Sequence, residues 1–596
     1  MTTDQNYQQI YRVGGMLDAG FVGQITYTIS LDQVYDELDI HFSFDKRLYS
    51  ESDVTPELID RLQTLCTAKY DAPTYPVEEF RQTILHEMKT EIHTMAELND
   101  NFIGCIHRQL TDRHMLYTKE FTSDGCLAQD TFSGVLKVTV LVFNVLLDNT
   151  QYTLTVSGHP VGQGVIAPNF NLMDTVKTAA GNAGASNAAG SADNSCDAES
   201  APASAVATAG SSGVSGAGSA ATAGSSGVSG AGSAATAGDS STTGSSSAGN
   251  TVTASTRFKR LELHNHTVES DGSLTCQELT EYLAADHVDA FAITDHNTTS
   301  GQKKIEQLLE EKHYPISLIR GMEYTTYFGH ILCLNLAKYV PWNSIDQHRP
   351  ELLFEAAREK GALVGIAHPF SYGDPFARGC RFEMTISDYS KVDFIEIFNN
   401  PEPLHEVNER GTNLWMSLIF SGYQITATSG MDLHNRAKLA GCYATYIEGK
   451  SSDNIASELD TAIHTHRTWV SKGALLLTEV LPETNELLLT FTDAHKTGFA
   501  VSETAQVVLK GKDKTFTTSV SLDKPVRVSL NQLSGTDPII PLLYEAASDS
   551  CVNAAAASTS CSNTSDASSA AGQLKGIDAL PAIEGLLCVS PVLYRD

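Results

Sequence analysis

The sequence predicts an α/β barrel flanked by two domains that are rich in β-structure. The central segment 257–473 alternates short apolar runs with amphipathic helical runs, a pattern typical of parallel strands connected by helices. The segments on either side contain runs in which apolar and polar residues alternate, as half-buried strands require. A long tract of small residues separates the first of these segments from the central one. Together these observations predict three ordered regions.

Size and composition limit the classes of protein to consider. A chain of 596 residues exceeds what one hydrophobic core usually serves, which predicts two to four domains. The 40 basic and 71 acidic residues give a net charge of −31, which argues against nucleic acid or an anionic membrane as a partner. The chain has no stretch of eighteen apolar residues, no secretory signal at its start and no CxxC pair among its 11 cysteines. We therefore expect a cytoplasmic protein with reduced thiols, and its oligomeric state stays open.

Residues 1–175 are predicted to form an α+β or β-sandwich-like domain with a helical insertion. Alternating runs predict strands, and two longer runs predict helices. No spacing of residues in this domain suggests chemistry. The predicted strands are Gln24–Ser30, Leu38–Phe44, Val135–Leu147 and Thr153–Val156, and the predicted helices are Pro56–Lys69 and Val77–Leu98.

Residues 176–256 are predicted to be a flexible linker. They are mostly Ala, Gly, Ser and Thr, and Gly210–Ala223 repeats identically as Gly224–Ala237. The small residues of this repeat could not form the buried apolar stripe that a repeat fold requires. A second tract of this kind, 546–574, is predicted to be a disordered insertion in a C-terminal antiparallel β domain, 474–596. The strands predicted there are Glu486–Phe491, Gln506–Leu509, Val526–Leu530 and Leu586–Leu593.

The predicted barrel, 257–473, has about seven strand–helix units. Its predicted strands are Leu261–His264, Ala290–Thr294, Ser317–Ile319, Leu363–Ala367, Phe394–Phe398, Ile425–Thr428 and Ala444–Glu448. Its predicted helices are Cys276–Ala285, Ile305–Lys312, Pro350–Lys360, Leu404–Phe420 and Asn454–His464.

Most of the predicted barrel strands end in a histidine or a carboxylate. In barrels the functional residues lie at the carboxyl ends of the strands, and alternate residues of a strand face the same side. Imidazole and carboxylate ligands suit Zn, Mn or Fe, and the absence of cysteine disfavours a structural zinc site. Six histidines and three carboxylates suit two or three divalent ions that share a bridging carboxylate. The candidate ligands are His264, His266, Asp271, His296, Glu323, His330, His368, Asp432 and His434.

The order of these motifs, HNHT, SDG, TDHN, GMEYT, GH, AHP and DLH, resembles the PHP (polymerase and histidinol phosphatase) superfamily. That resemblance implies a distorted (β/α)7 barrel, similar to the amidohydrolases, and metal-dependent phosphoesterase activity. Tyr152–Gly158 and Arg467–Gly473 are similar to segments of the carbaryl-hydrolase-like branch of the superfamily.

The resemblance also implies how the ligands are shared among metals. It assigns His264, His266, Glu323 and Asp432 to a first site, Glu323, His330 and His368 to a second, and Asp271, His296 and His434 to a third. Asp271 stands where several members have histidine, which changes the charge and metal preference of the third site.

Divalent ions about 3.5–4 Å apart lower the pKa of a shared water towards about 7 and make hydroxide available at neutral pH. Three such ions, three carboxylates and one hydroxide leave a local charge of about +2, which suits a phosphate ester. We therefore expect a hydrolase of small-molecule phosphate esters, of the nucleotide or sugar phosphate class. Glu323 and Asp432 are the candidate catalytic carboxylates. The candidate phosphate donors are Arg378, Arg381, Arg436 and His405.

Two alternatives stay open. The same metals would hydrolyse a neutral carbamate, ester or amide, for which Phe370, Tyr372 and Phe376 supply a candidate apolar pocket. A barrel without activity would instead act as a binding or scaffolding module. A degenerate barrel is expected to lose metal ligands, and this chain has residues at all nine positions.

Overall fold

The computed structural model describes residues 7–161, 258–546 and 583–594, apart from gaps at 71–74, 109, 344, 347–348, 400–401, 403–404, 450–453, 497 and 534–536. The predicted linker and nearly all of the predicted insertion lie outside the described residues. Among the described residues, no helix combines the length and the apolar character needed to cross a bilayer.

In the described part of the N-terminal region, residues 7–161, the chain forms two helices and seven strands. The helices are α1 (Pro56–Tyr70) and α2 (Val77–Glu87). The strands are β1 (Gln8–Leu17), β2 (Gly23–Phe44), β3 (Glu91–Leu98), β4 (Asn101–Ile106), β5 (Asp112–Tyr117), β6 (Phe132–Asn144) and β7 (Thr150–Pro160).

The prediction of one helix over Val77–Leu98 is wrong beyond Glu87. Met88 has an extended backbone, with φ −77° and ψ 129°, and ends α2. The following residues form β3, which is buried along nearly its whole length. A strand that is buried on both faces lacks the two-residue alternation that identifies half-buried strands, so its composition resembled a continuation of the helix.

The seven strands form one antiparallel sheet in the order β1–β7–β2–β6–β3–β4, with β5 paired to β2. The 22-residue strand β2 pairs with β6 along its first half and with β5 and β7 along its second half. Apolar side chains such as Ile40, Phe42 and Val138 form a buried core beneath the sheet. Strands β3 and β4 lie at one edge of this sheet and contact the central region of the chain.

The central region alternates strands and helices, as predicted. Its strands are β8 (Phe258–Glu262), β9 (Ala290–Ile293), β10 (Ser317–Thr325), β11 (His330–Leu334), β12 (Leu363–Ile366), β13 (Phe394–Phe398), β14 (Thr426–Ser429), β15 (Ala444–Glu448) and β16 (Thr468–Ser471). Its helices are α3 (Cys276–Ala285), α4 (Ser300–Lys312), α5 (Glu351–Arg358), α6 (Glu406–Phe420) and α7 (Ile455–His464).

The fold is a mixed α/β fold with large sheets. Strands β8, β9 and β10 are parallel, as are β12, β13 and β14, whereas β11 lies antiparallel between the two groups. Beyond the strand ends, Asn265 and Leu433 form a parallel bridge, which brings the chain after β14 beside the chain after β8. The closed (β/α)7 barrel stays a prediction.

Some of the C-terminal strands continue the large sheet of the central region, and others form a sheet of their own. They are β17 (Ala474–Leu481), β18 (Glu486–Asp493), β19 (Thr504–Lys510), β20 (Thr515–Ser521), β21 (Val526–Ser529), β22 (Ile540–Glu545) and β23 (Leu586–Val589). Through β16, the central strands connect to β23, β22, β19 and β20, while β17, β18 and β21 form a separate sheet of three strands. Residue 473 lies between β16 and β17, and β23, from the C-terminal side of it, pairs with β16. The domain boundary near 473 stays a prediction.

The N-terminal and central regions share a hydrophobic core. Met95 and Phe143 of the N-terminal sheet belong to the same buried cluster as Met322, Tyr324 and Tyr327. The rings of Phe143 and Tyr327 lie 4.7 Å apart between centroids, and the Tyr327 hydroxyl donates to the Gly23 carbonyl at 2.8 Å. Removal of this much apolar surface from water holds the two regions together.

Candidate metal centre

The structure brings all nine predicted ligands together. They follow or occupy strands β8 to β14 of the large sheet, so side chains far apart in sequence meet at one end of it. They form groups whose ligand atoms lie within 4.8 Å of one another, among them His264, His266, Glu323 and Asp432, and a second set of His266, Asp271, His296 and His434. His330 and His368 form a further group with Cys380.

Glu323 lies at the middle of the cluster. Its Oε1 atom accepts hydrogen bonds from His330 Nδ1 at 2.9 Å and from His368 Nε2 at 3.0 Å. Its Oε2 atom lies 3.3 Å from His264 Nε2 and 3.4 Å from His266 Nε2. Oε2 also lies 2.9 Å from Nδ1 of His296, a ligand of the predicted third site. One oxygen thus faces the second predicted site and the other faces ligands of the first and third.

Asp271 occupies the corresponding position in the third group. Its Oδ1 atom lies 3.3 Å from His434 Nε2 and 3.5 Å from His296 Nε2. The loop that carries Asp271 is fixed by Asp295, which accepts hydrogen bonds from the Thr267 backbone nitrogen and from the Ser270 hydroxyl, both at 2.7 Å. Asp295 thus supports the loop that presents Asp271.

Several histidines are oriented through one ring nitrogen, which leaves the other facing the cluster. Nδ1 of His368 donates to the Cys380 carbonyl at 3.1 Å, and Nδ1 of His434 donates to the Asp432 carbonyl at 2.9 Å. His264 does the same towards Glu396, at 3.0 Å. A partner of this kind fixes the tautomer and the ring orientation of a metal-binding imidazole.

Glu396 is a site residue that the sequence analysis missed. It lies within β13 and accepts from His264 Nδ1, from the His368 backbone nitrogen at 2.9 Å and from Asn399 Nδ2 at 3.0 Å. Only 1% of its surface is exposed. The available signal was a carboxylate in the middle of the apolar run FIEIF, a position that a charged residue rarely occupies without partners.

The backbone adopts unusual conformations where it presents two ligands. His368 has φ 24° and Asp432 has φ 50°, values that non-glycine residues rarely adopt. Gly430 lies against His264, and a Cβ atom there would be 2.4 Å from the His264 Cβ atom and 2.7 Å from Glu396 Oε1. A side chain at position 430 would therefore displace the first ligand of the cluster.

The charges of the cluster suit metal binding. Burial raises the pKa of Glu323, but the imidazoles of His330, His264 and His296 outweigh it and hold that pKa well below its usual range. Asp271 behaves likewise, because His434, His296 and His107 together overcome the effect of burial on its pKa. Burial, followed by the charges of His296 and His434, lowers the pKa of His266 to about 3. Burial alone would lower the pKa of His264, His296 and His368, but the neighbouring carboxylates raise it, and they raise that of His434 to about 10. The carboxylates are thus in the form that binds metal ions, and binding would displace protons from these imidazoles.

Buried polar atoms without partners provide a direct test of whether metal ions fit. Buried groups of this kind are rare, because each costs about 1–3 kcal/mol when it lacks a hydrogen bond. Among the described residues, the following cluster atoms have no hydrogen-bond partner: His264 Nε2, Nδ1 and Nε2 of His266, Asp271 Oδ1, Glu323 Oε2, His330 Nε2, Asp432 Oδ1 and His434 Nε2. They face one another across the cluster, and divalent cations would satisfy them together.

The cluster is sealed on one side and open on the other. The side chains of His264, His266 and Glu323 are 0% exposed, whereas those of Asp271, Asp432 and His434 are 12%, 13% and 20% exposed. A small molecule would therefore approach where Asp432 of the first group meets Asp271 and His434 of the third.

Of the four predicted phosphate donors, one is buried and three make other contacts. Arg378 is buried, and burial lowers its pKa to about 10. Arg381 lies over the rings of Tyr70 and Phe370, and Arg436 lies over the ring of Tyr282. His405 caps α6 through the Val407 backbone nitrogen. Their role in binding phosphate stays a prediction.

His107 is a second residue that the sequence analysis missed. It follows β4 in the N-terminal region, and its Nε2 atom lies 3.4 Å from Asp271 Oδ2. Its ring stacks on that of His296, with centroids 4.1 Å apart. The region in which no spacing suggested chemistry thus contacts the cluster directly.

Comparison with known proteins gives partial matches. Residues 7–160 match the model of a family of unknown function (DUF6669). An uncharacterized protein of Methanocaldococcus jannaschii is 30% identical over 112 residues, or 19% of this chain and 58% of that protein. A 5'-3' exoribonuclease of Haemophilus influenzae is 36% identical over 141 residues, or 22% of this chain and 50% of that protein. The chain thus spans between half and three fifths of the length of these relatives.

Among solved structures, the chain is similar to a two-domain protein from Bacteroides vulgatus ATCC 8482 that contains a predicted PHP-like metal-dependent phosphoesterase. The two are 16% identical, with a TM-score of 0.29, and the match covers 48% of this chain and 90% of that one.

Proposed function

We propose that this protein is a metal-dependent hydrolase of small phosphate esters, built on the (β/α)7 barrel of the PHP superfamily. The observation that carries the proposal is the set of ligand atoms around Glu323 and Asp271. They are mostly buried, they lie in or after six strands, β8 to β12 and β14, and the described residues leave many of them without hydrogen-bond partners. The exoribonuclease relatives hydrolyse phosphate esters by name, which agrees with this reaction class.

Divalent ions bound at the cluster would supply activated water and stabilise negative charge on the substrate. The residues of the chain do the rest. Glu323 and Asp432 offset the charge of the cations, and Glu396 and the Cys380 carbonyl hold His264 and His368 in place. The shared apolar core behind the cluster excludes bulk water, which strengthens each electrostatic interaction inside.

The exposed edge of the cluster, at Asp271, Asp432 and His434, favours a charged substrate. Asp271 and His434 lie on the side from which a small molecule would approach, so an ion held there would meet the oxygens of an arriving phosphate. A neutral carbamate, ester or amide offers no such charge. For that reason we place phosphate esters before the carbaryl-hydrolase-like alternative, and both before a scaffold without activity.

The test is an assay of metal-reconstituted protein against four substrate classes: phosphomonoesters of nucleotides and sugars, a phosphodiester, a short 5'-phosphorylated RNA and a carbamate. We expect turnover of at least one phosphate ester and none of the carbamate. Glu323→Ala and Asp432→Ala should abolish turnover, since each removes a ligand of the first group.

A matched pair of substrates separates the two enzymatic hypotheses. Asp271→Ala should lower kcat/KM on a phosphate ester more than on a carboxylate ester of the same alcohol, because only the phosphate has an oxygen for the third ion. Equal losses on both esters, or turnover of the carbamate alone, would refute the proposal for phosphate.

A further inference from the structure

The N-terminal region reaches the third group of ligands through His107. Asp271 presents Oδ1 to His296 and His434, and its other oxygen, Oδ2, lies 3.4 Å from His107 Nε2. Oδ1 thus faces the third group of ligands, and Oδ2 faces the N-terminal region. His107 is 1% exposed and stacks on His296, so it contacts two of the residues in the third group.

Further buried groups stand behind His107. The ring of His93 lies 4.0 Å from that of His107 between centroids, and it packs against Phe143 at 4.4 Å. His93 Nε2 lies 3.2 Å from Glu91 Oε1. Glu91, His93 and His107 therefore form a row of buried side chains that ends at Asp271. Phe143 of β6 packs against His93 in this row.

The surrounding contacts fix this row against the central region. Glu269 accepts from the Gly125 backbone nitrogen at 3.0 Å, and the Thr298 hydroxyl donates to the Gly125 carbonyl at 2.9 Å. Gly125 has φ +80°, and a Cβ atom there would lie 2.3 Å from the Cys105 carbonyl oxygen. These bonds leave little freedom for His107 to move relative to Asp271.

We infer that His107 is a positioning residue for the third metal site, so that the N-terminal region completes the metal centre. The inference rests on the proposed function, because it requires that the nine ligands hold metal ions. A hydrogen bond from Nε2 of His107 to Oδ2 fixes the carboxylate of Asp271 and leaves Oδ1 for the ion. Partners of this kind usually change metal affinity about 10–100-fold when they are removed.

His107 is not itself in the group of ligands that share the third site, which consists of His266, Asp271, His296 and His434. It does belong to a separate buried group with Glu91 and His93 that could hold an ion of its own. The experiment therefore has to distinguish positioning of Asp271 from an independent site.

The test is calorimetric titration of the metal-free full chain with Zn²⁺, with the number of bound ions and the affinity of each as readouts. All variants carry His114→Ala, because His41, Asp112 and His114 form an exposed group that could bind Zn²⁺ elsewhere. We expect three bound ions in this background. His107→Ala should weaken one of them 10–100-fold and leave the other two unchanged, whereas His107→Gln, which keeps a donor, should restore part of the affinity.

Four companion variants make the result more specific. Asp271→Ala should weaken the same ion, and the double variant with His107→Ala should lose no more than Asp271→Ala alone, since both act on one contact. Glu91→Gln should retain all three ions. His86→Ala, an exposed histidine of α2 in the same region, serves as the matched control and should behave as the background does.

The results that overturn the inference are specific. Binding of only two ions by the background, unchanged affinity in His107→Ala, or additive losses in the double variant would each refute it. Loss of an ion in Glu91→Gln would identify an independent site instead. A fall in the melting temperature of metal-free His107→Gln, with all ions weakened alike, would show a structural role. If three ions bind as expected but no phosphate ester is hydrolysed, the proposed function fails and the role of His107 stands.

Discussion

The strongest test of the metal centre away from its ligands is Glu396→Gln. Glu396 cannot reach the ions that we propose, because its oxygens are occupied by His264 Nδ1, the His368 backbone nitrogen and Asn399 Nδ2. Glutamine has nearly the same shape. Its carbonyl oxygen can keep the two bonds at His368 and Asn399, but the charge that holds His264 is lost.

The size of the effect follows from these contacts. Loss of a carboxylate that orients a metal-binding histidine costs about 10–100-fold in metal affinity, which corresponds to about 1.4–2.8 kcal/mol. Glu396→Ala removes all three bonds and leaves buried donors without partners, each at about 1–3 kcal/mol. We therefore expect Glu396→Gln to weaken Zn²⁺ binding with little change in the melting temperature of the metal-free protein, and Glu396→Ala to lower both.

The assay combines Zn²⁺ titration with thermal unfolding of the metal-free form. Glu310→Gln, an exposed carboxylate of α4, is the matched control, and its affinity and melting temperature should equal those of the wild type. If Glu396→Gln binds Zn²⁺ as tightly as the control, then the contact between Glu396 and His264 does not orient a ligand, and our interpretation of the buried cluster is wrong.

Three further predictions address packing around the site and between the regions. Gly430→Ala should weaken metal binding and destabilise the fold by about 1–3 kcal/mol, because its Cβ atom would collide with His264. The control is Gly411→Ala, whose Cβ atom would have its nearest contact at an ordinary 3.4 Å. In thermal unfolding, this control should melt at or above the wild-type temperature. Gly125→Ala should lower the melting temperature, because it combines a positive φ with a 2.3 Å collision; an unchanged melt would contradict the tight fit described here. A specific protease site in place of residues 210–223 should, after cleavage, give two fragments that co-elute on size exclusion, because Met95 and Phe143 share a core with Met322; separate elution would show that this core does not hold them together.

The strands and helices of the central region were predictable because their signals are local. The seven predicted strands and five predicted helices all occur, and Phe394–Phe398, Ala444–Glu448 and Cys276–Ala285 match in both bounds. The prediction did not include β11, which runs antiparallel between two parallel groups. Strand β11 begins only five residues after the end of β10, with no helix between them. It therefore does not fit the strand–helix alternation that identifies the other strands.

The nine ligand positions could be named because each motif places an unusual residue at a strand end. The residues that orient them could not. Glu396 lies in the middle of an apolar strand, and only the fold shows that it holds His264. The contact of Glu396 with His264 joins positions 132 residues apart, and no local pattern records a pairing over that distance.

His107 shows the same limit more sharply. Buried histidines on apolar strands usually satisfy local hydrogen bonds, so neither His93 nor His107 stood out beside Met95 or Cys105 in the sequence. The signal would have been the pairing of two histidines near the ends of adjacent strands, and that pairing requires β3 and β4 to be known as neighbours. Because β3 was assigned to a helix that ends eleven residues earlier, at Glu87 rather than Leu98, the arrangement could not be reached. An error in one secondary structure element therefore concealed the contact through which a separate region of the chain meets Asp271.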